Sequence, residues 1–252
     1  MVRWIWAFID RPLHRFEESA AFWTAVTGTR ASARHGDHEE FSTLVPEAGD
    51  AYVELQGVFD EGGAHIDLEV EDVPAAVARA AGLGATAIAD HESWVVMRSP
   101  EGRPFCLLPW SGGSRRPPVT DGSRLDQVCL DISPSAYDEE VAFWEALTGW
   151  PLHQGALPEY MVLRAPGMPI RILLQRLGRD QAPTQAPTQA PTQAPTAHID
   201  IACADAEATR ARHERLGAAV ARRESRWIVM RDPAGGVYCL TDRDPETGSL
   251  PT

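Results

Sequence analysis

Residues 94–107 read WVVMRSPEGRPFCL and residues 227–240 read WIVMRDPAGGVYCL. In each stretch an alternating strand runs into a Pro-x-Gly turn and a second strand, so one supersecondary unit is written twice. Working outward, His65-Ile66-Asp67 returns as His198-Ile199-Asp200, and Ala21-Phe22-Trp23, followed by Gly28, returns as Ala142-Phe143-Trp144, followed by Gly149. The chain is a duplication.

Each half divides again. In the first, residues 4–10 read as a strand, Ala20, Trp23 and Val26 follow at helical spacing, and Gly28 supplies a C-terminal stop. Strands over 40–45 and 51–56 complete that unit. The order then restarts with a strand over 65–70, a helix capped by Asp72 with Pro74 in its first turn, and short strands near 86–89, 94–98 and 104–108. The unit is β-α-β-β-β, used four times. This predicts an α+β chain in two domains, 1–110 and 124–243, each with the helices outside a cupped mixed sheet. Residues 111–123 (SGGSRRPPVTDGS) have the composition of a solvated linker, and 244–252 form a tail. Residues 181–196 are four copies of Gln-Ala-Pro-Thr, whose prolines forbid a helix or a central strand, so a loop without regular structure is expected there.

Charge narrows the function. The 252 residues carry 23 basic and 36 acidic side chains, net −13, which argues against nucleic acid as a partner. Every basic residue is Arg, so chemistry that needs a lysine is excluded. The N-terminal apolar run is too short to span a membrane, and four cysteines without CxxC spacing read as free thiols of a cytoplasmic protein.

Strand parity assigns faces. Ile66, Leu68 and Val70 form an apolar side, which leaves His65, Asp67 and Glu69 on the other with Trp6, Phe8, Asp10, Tyr52, Glu54 and Gln56. Aromatics, one His and several acids on the side away from the helices describe a lined pocket. In the second half His198, Asp200, Gln127, Cys129, Asp131, Arg171 and Gln175 share the corresponding side, with Leu173 where the first half has Glu54. Each of these residues also has a plainer reading. The histidines can be strand-edge groups bonded to backbone, Cys106 and Cys239 small buried hydrophobes, Asp67 and Glu69 ionised solvated acids, and Trp23 and Trp144 core.

The four units, the AFW…TG helix and the Pro-x-Gly turn before a final strand resemble the vicinal oxygen chelate superfamily, which includes glyoxalase I, extradiol dioxygenases and bleomycin-resistance proteins, and most of all its tandem glyoxalase-like members. That resemblance implies paired units cupped around a small-molecule site. Carried over residue by residue, the metal-ligand positions of the superfamily fall on Trp6, Glu54, His65 and Cys106 in the first half and on Gln127, Leu173, His198 and Cys239 in the second. Neither is a standard set, since a catalytic zinc usually takes three protein ligands and a dioxygenase iron two His and a carboxylate.

The leading expectation is therefore a metal-independent binding or resistance-type protein that holds a small organic molecule, with Trp6, Phe8, Tyr52, Glu54, His65, Asp67, Gln127 and His198 as ligand-binding residues. The alternative is a lyase, isomerase or dioxygenase using a divalent metal ion at Glu54 and His65, completed by Cys106 or by a second chain in a homodimer. The first half is the expected working site, and no nucleic acid or membrane partner is expected.

Overall fold

The computed structural model describes residues 1–178 and 196–250. The first half runs β1 (Val2–Pro12), a 3-10 turn (Leu13–Arg15), α1 (Phe16–Thr27), β2 (Thr29–Ala31), β3 (Phe41–Pro46) and β4 (Val53–Val58), then β5 (Gly63–Val70), α2 (Val73–Gly82), β6 (Thr86–Asp90), β7 (Val95–Arg98) and β8 (Pro104–Pro109). The second half repeats the order with β9 (Ser123–Ile132), α3 (Tyr137–Thr148), β10 (Leu152–Gln154), β11 (Tyr160–Leu163), β12 (Arg171–Arg176), β13 (Thr196–Cys203), α4 (Ala206–Arg215), β14 (Ala219–Arg223), β15 (Trp227–Arg231) and β16 (Val237–Thr241). The class is α+β, as the repeat implied. Thr196, the last residue of the Gln-Ala-Pro-Thr stretch, opens β13; the rest of that stretch lies outside the described residues.

Local signals explain the helices. Gly28 and Gly149 end α1 and α3 in the left-handed region, at φ 64° and 67°, where a side chain would be strained. Asp72 and Asp205 cap α2 and α4, each carboxylate accepting a backbone N–H at 2.9 Å, so both cap positions repeat with the sequence.

Two eight-stranded mixed sheets result, ordered β2-β3-β4-β1-β5-β8-β7-β6 and β10-β11-β12-β9-β13-β16-β15-β14. Each belongs to one half of the sequence. Parallel pairing of β13 with β16 sets Asp200 opposite Cys239, and pairing of β5 with β8 sets Leu68 opposite Leu107. Both faces of these strands are covered: Ile66, Leu68, Val70, Ile199 and Ile201 are buried, and so are Asp67, Glu69, His198 and Asp200, so the reading of Asp67 and Glu69 as solvated acids fails.

Compactness divides the chain differently from strand pairing. One unit comprises the described residues within Met1–Ala7, His65–Ser114 and Val128–Ala197, the other Phe8–Ala64, Arg115–Gln127 and His198–Thr252. In the first unit Phe105 packs edge-on against Phe143 and Trp144, with ring centroids 5.9 and 5.1 Å apart. In the second, Tyr238 lies 5.2 Å from Trp23, and its hydroxyl is 2.9 Å from His213 Nδ1.

Each unit also buries one arginine against an acid and an indole. In the second unit Arg11 Nε donates to Asp232 Oδ2 at 2.6 Å, its Nη1 donates to the carbonyls of Asp10 and Gly63, and Trp23 Nε1 donates to the same Asp232 oxygen at 3.1 Å. In the first unit Arg103 donates to the carbonyls of Asp131 and Thr196, its Nε lies 3.8 Å from Glu140 Oε2, and Trp144 Nε1 donates to that oxygen at 2.9 Å. Neither indole N–H nor carboxylate is exposed to water here, so each must be satisfied inside.

Residues 111–123, read as a solvated linker, are held by specific bonds. Ser111 gives both its N–H and its hydroxyl to Glu69, and Arg115 N donates to Asp50 Oδ2 at 2.8 Å. The Gly, Ser and Pro composition reports a segment without helix, which enters β9 only at Ser123, and that is compatible with ordered backbone.

Candidate functional site

The first-half residues fall into two groups, each inside one compact unit. In one, Trp6 Nε1 donates to Glu69 Oε1 at 2.9 Å, where Ser111 Oγ also donates at 2.8 Å. Asp67 Oδ1 accepts from Cys106 N at 2.7 Å and lies 3.9 Å from His65 Nε2. Burial, reinforced by Asp67, pushes the Cys106 thiol far above its ordinary range, so it stays protonated and is a poor nucleophile or metal ligand.

In the other group Glu54 is buried, accepts from Thr43 Oγ1 at 2.9 Å and lies 3.4 Å from His35 Nε2. Phe8 and Phe41 meet edge to face beside it, with centroids 6.3 Å apart. Tyr52 is buried, its hydroxyl donates to the Leu125 carbonyl at 2.8 Å, and burial raises its pKa well above the phenolic range. The structure thus gives Tyr52 an interior anchor. Sequence parity missed His35, which arrives from the irregular stretch between β2 and β3 and carries no periodic signal.

The second-half residues converge more tightly, again inside one unit. His198 Nε2 lies 3.4 Å from Asp200 Oδ1, and Gln127 Nε2 donates to Asp200 Oδ2 at 2.5 Å. Ligand atoms of His198, Asp200 and Cys239 all fall within 4.8 Å of one another. The strands explain this: His198 and Asp200 are two apart on β13 and share a face, while parallel register brings Cys239 of β16 alongside Asp200. Among the described residues, no such group of three His, Cys, Asp or Glu side chains includes Glu54 or His65.

Burial governs the electrostatics of this cluster. His198, Asp200, Cys239 and Gln127 are all buried, and Val229, Val237 and Trp227 form an apolar wall around Cys239. Burial raises the Asp200 carboxyl above its ordinary range, against the opposing pull of His198 and Arg243. Burial also works against the charge of Arg243, yet Asp126, bonded at 2.8 Å, keeps that guanidinium firmly protonated; Asp200 lies farther off, at 3.9 Å. Among the described residues, none donates a hydrogen bond to Asp200 Oδ1. A buried carboxylate oxygen beside an imidazole and a thiol is a place where a cation gains most.

Comparison with known proteins points the same way as the repeat. The glyoxalase-like domain matches residues 6–108 and again 127–241. No curated protein matches the chain in sequence. Among solved structures, a mutant of 4-hydroxymandelate synthase from Streptomyces coelicolor superposes with a TM-score of 0.62 at 14% identity, over 95% of this chain and 92% of that one. The 2,2',3-trihydroxybiphenyl 1,2-dioxygenase of the dibenzofuran-degrading Sphingomonas wittichii strain RW1 gives 0.60 at 12% identity, over 99% and 95%. The 2,3-dioxygenase LapB of Pseudomonas sp. KL28 gives 0.59 at 15%, over 95% and 92%. At such identities the likeness is one of fold.

Proposed function

Since the chain belongs to the glyoxalase-like domain family, with two copies of that domain, we propose that it is a metal-dependent enzyme of the vicinal oxygen chelate type, acting on a small organic molecule as a lyase or isomerase. His198, Asp200 and Cys239 would hold the divalent ion. The observation that carries this reading is the buried Asp200 Oδ1, which accepts no hydrogen bond from the described residues and faces His198 Nε2 at 3.4 Å, with Cys239 within 4.8 Å. Those donors fit a divalent ion of borderline softness. One imidazole, one carboxylate and one thiolate would make the three-protein-ligand pattern of catalytic zinc.

A bound ion of this kind supplies Lewis acidity toward a substrate oxygen. The protein's own contribution is orientation. Gln127 fixes Asp200 from the far oxygen, Asp126 holds Arg243 near the same carboxylate, and the Val229, Val237 and Trp227 wall keeps water from the thiol. Gln127 occupies a position at which the superfamily resemblance implies a metal ligand, so the set departs from the two-His-one-carboxylate arrangement of a dioxygenase iron. The dioxygenases above therefore support the fold more than the oxidative reaction.

Metal analysis of protein purified without a histidine tag tests the proposal. We expect an equimolar divalent ion in the wild type, its loss in Asp200→Asn and Cys239→Ser, and about 10- to 100-fold weaker binding in Gln127→Ala. Glu54→Gln should retain it. Loss in Glu54→Gln with retention in the other variants would return the centre to the first half, at Glu54 and His65.

A further inference from the structure

Two arginines of one compact unit meet where the chain enters β9. Arg124, the second residue of that strand, is buried; its Nη1 donates to the Pro117 carbonyl at 3.1 Å, and its Nη2 donates to the Pro245 carbonyl and, at 3.1 Å, to that of Glu246. Arg116 is half-buried, and its Nη1 donates to the same Glu246 carbonyl at 3.3 Å. One carbonyl oxygen thus bridges two guanidinium groups. Each arginine also keeps a buried Nε–H to which no described residue offers an acceptor.

The acids nearby are committed elsewhere or stand at a distance. Asp126 is bonded to Arg243 at 2.8 and 3.3 Å, and Glu246 comes no nearer to Arg124 Nη1 than 3.5 Å, from a side chain that is 68% exposed. Burial, and after it the charge of Arg124, lower the Arg116 pKa, although Asp126 and Glu246 oppose this. An anionic oxygen in place of the bridging carbonyl would neutralise charge that the protein leaves facing itself. A phosphate group carries about −1.5 to −2 at pH 7, which matches both arginines, and its several oxygens suit two guanidinium forks. The turn that brings Glu246 is closed on itself. Asp244 Oδ1 accepts from Glu246 N at 3.0 Å and from Thr247 N at 2.7 Å, and Asp244 N donates to the Ser249 carbonyl at 2.8 Å, so the turn can swing aside with these bonds intact.

We propose that Arg116 and Arg124 form a binding site for a phosphate group, free or on a small monoester, and that the Glu246 carbonyl and carboxylate hold the place of its oxygens until it binds. The site uses none of the three ligands of the metal centre. It gives the chain a second, binding function.

Inorganic phosphate is the probe, titrated into the full chain by calorimetry against chloride at matched ionic strength. The wild type should bind one phosphate saturably, and chloride should not bind. Arg116→Gln should weaken phosphate about tenfold or more, the effect of losing a hydrogen bond between charged groups. Glu246→Gln removes the competing carboxylate from an exposed position and should tighten phosphate about two- to fivefold. Asp200→Asn should keep wild-type phosphate affinity, and Arg116→Gln should keep the wild-type metal content, which separates a failure here from a failure of the metal centre. Methyl phosphate binding more tightly than phosphate would identify a monoester as the occupant, and equal or weaker binding the free ion. No saturable phosphate binding, wild-type affinity in Arg116→Gln, or loss of binding in Asp200→Asn would overturn the proposal. Should Arg116→Gln fail to fold, unchanged affinity in Glu246→Gln would overturn it equally.

Discussion

In one compact unit the buried guanidinium comes from Arg11, near the end of β1, and in the other from Arg103, in the turn before β8. The two arginines are not repeat partners. By the sequence repeat Arg103 corresponds to Gly236, and Arg11 to Ile132. Their targets, however, do correspond: the carbonyls of Asp10 and Gly63 in one unit, those of Asp131 and Thr196 in the other. The acid that accepts the indole N–H has moved, from the turn residue Asp232 to the helix residue Glu140, while Arg103 takes Glu101 of its own turn at 2.8 Å and the indole donors Trp23 and Trp144 stayed in place. A Cβ on Gly236 would stand 1.9 Å from the Arg11 guanidinium carbon, so the missing side chain marks the space that Arg11 fills. Duplication thus kept the place of a charge and changed the residue that delivers it. Buried carbonyls need donors wherever the donor starts from.

The largest effect should come from removing the acid. Asp232→Ala leaves Arg11, the Trp23 N–H and the Gly236 N–H without their acceptor and should cost about 3–5 kcal/mol in denaturant unfolding. A loss under about 1 kcal/mol would mean that the tie is not a stabilising contact.

Transplanting one arrangement onto the other sharpens the comparison. Arg11→Ile alone should cost nearly as much as Asp232→Ala, and adding Gly236→Arg should recover more than half, because the second unit then delivers its guanidinium as the first does. Gly236→Ala in the wild type should cost about as much as Arg11→Ile, because its Cβ would stand where the Arg11 guanidinium lies and would displace it from Asp232. If the double variant is no more stable than Arg11→Ile, the two guanidinium sites are not equivalent.

The smallest effect at neutral pH, and a growing one in acid, separates the units by their cores. His213 and Tyr238 of one unit correspond to Ala80 and Phe105 of the other, so only one carries a buried imidazole. Burial, with Arg212 nearby, lowers the His213 pKa from 6.5 to about 3. Between those values the unfolded chain binds a proton that the folded one refuses, so stability falls as pH drops from about 6.5 toward 3 and is fully present above that window. Amide-exchange protection around Tyr238 should decline in acid before protection around Phe105, and His213→Gln should remove the difference. An unchanged early loss of protection around Tyr238 in that variant would assign the loss to other groups.

Much of the candidate site was legible in advance. Parity alone put His198, Asp200 and Gln127 on one face of the second half, and the motif YCL offered Cys239. The expectation nevertheless favoured the first half, because it judged ligands by superfamily position, where Leu173 and Cys239 looked like losses. Strand register converts that reading: Asp200, on no superfamily ligand position, lies opposite Cys239. His35 was out of reach, since an irregular segment has no period from which a face can be assigned.

The sequence by itself determined the four β-α-β-β-β units, their caps and stops, the faces of each strand and the acidic charge, because hydrophobic period, capping and turn chemistry act over a few neighbouring residues. Only the tertiary structure decided which compact unit each segment joined, which arginine met which acid, and that ligand atoms of His198, Asp200 and Cys239 gather within 4.8 Å of one another. Those outcomes depend on strand register and on buried polar groups finding partners far along the chain, and nothing local in the sequence records either.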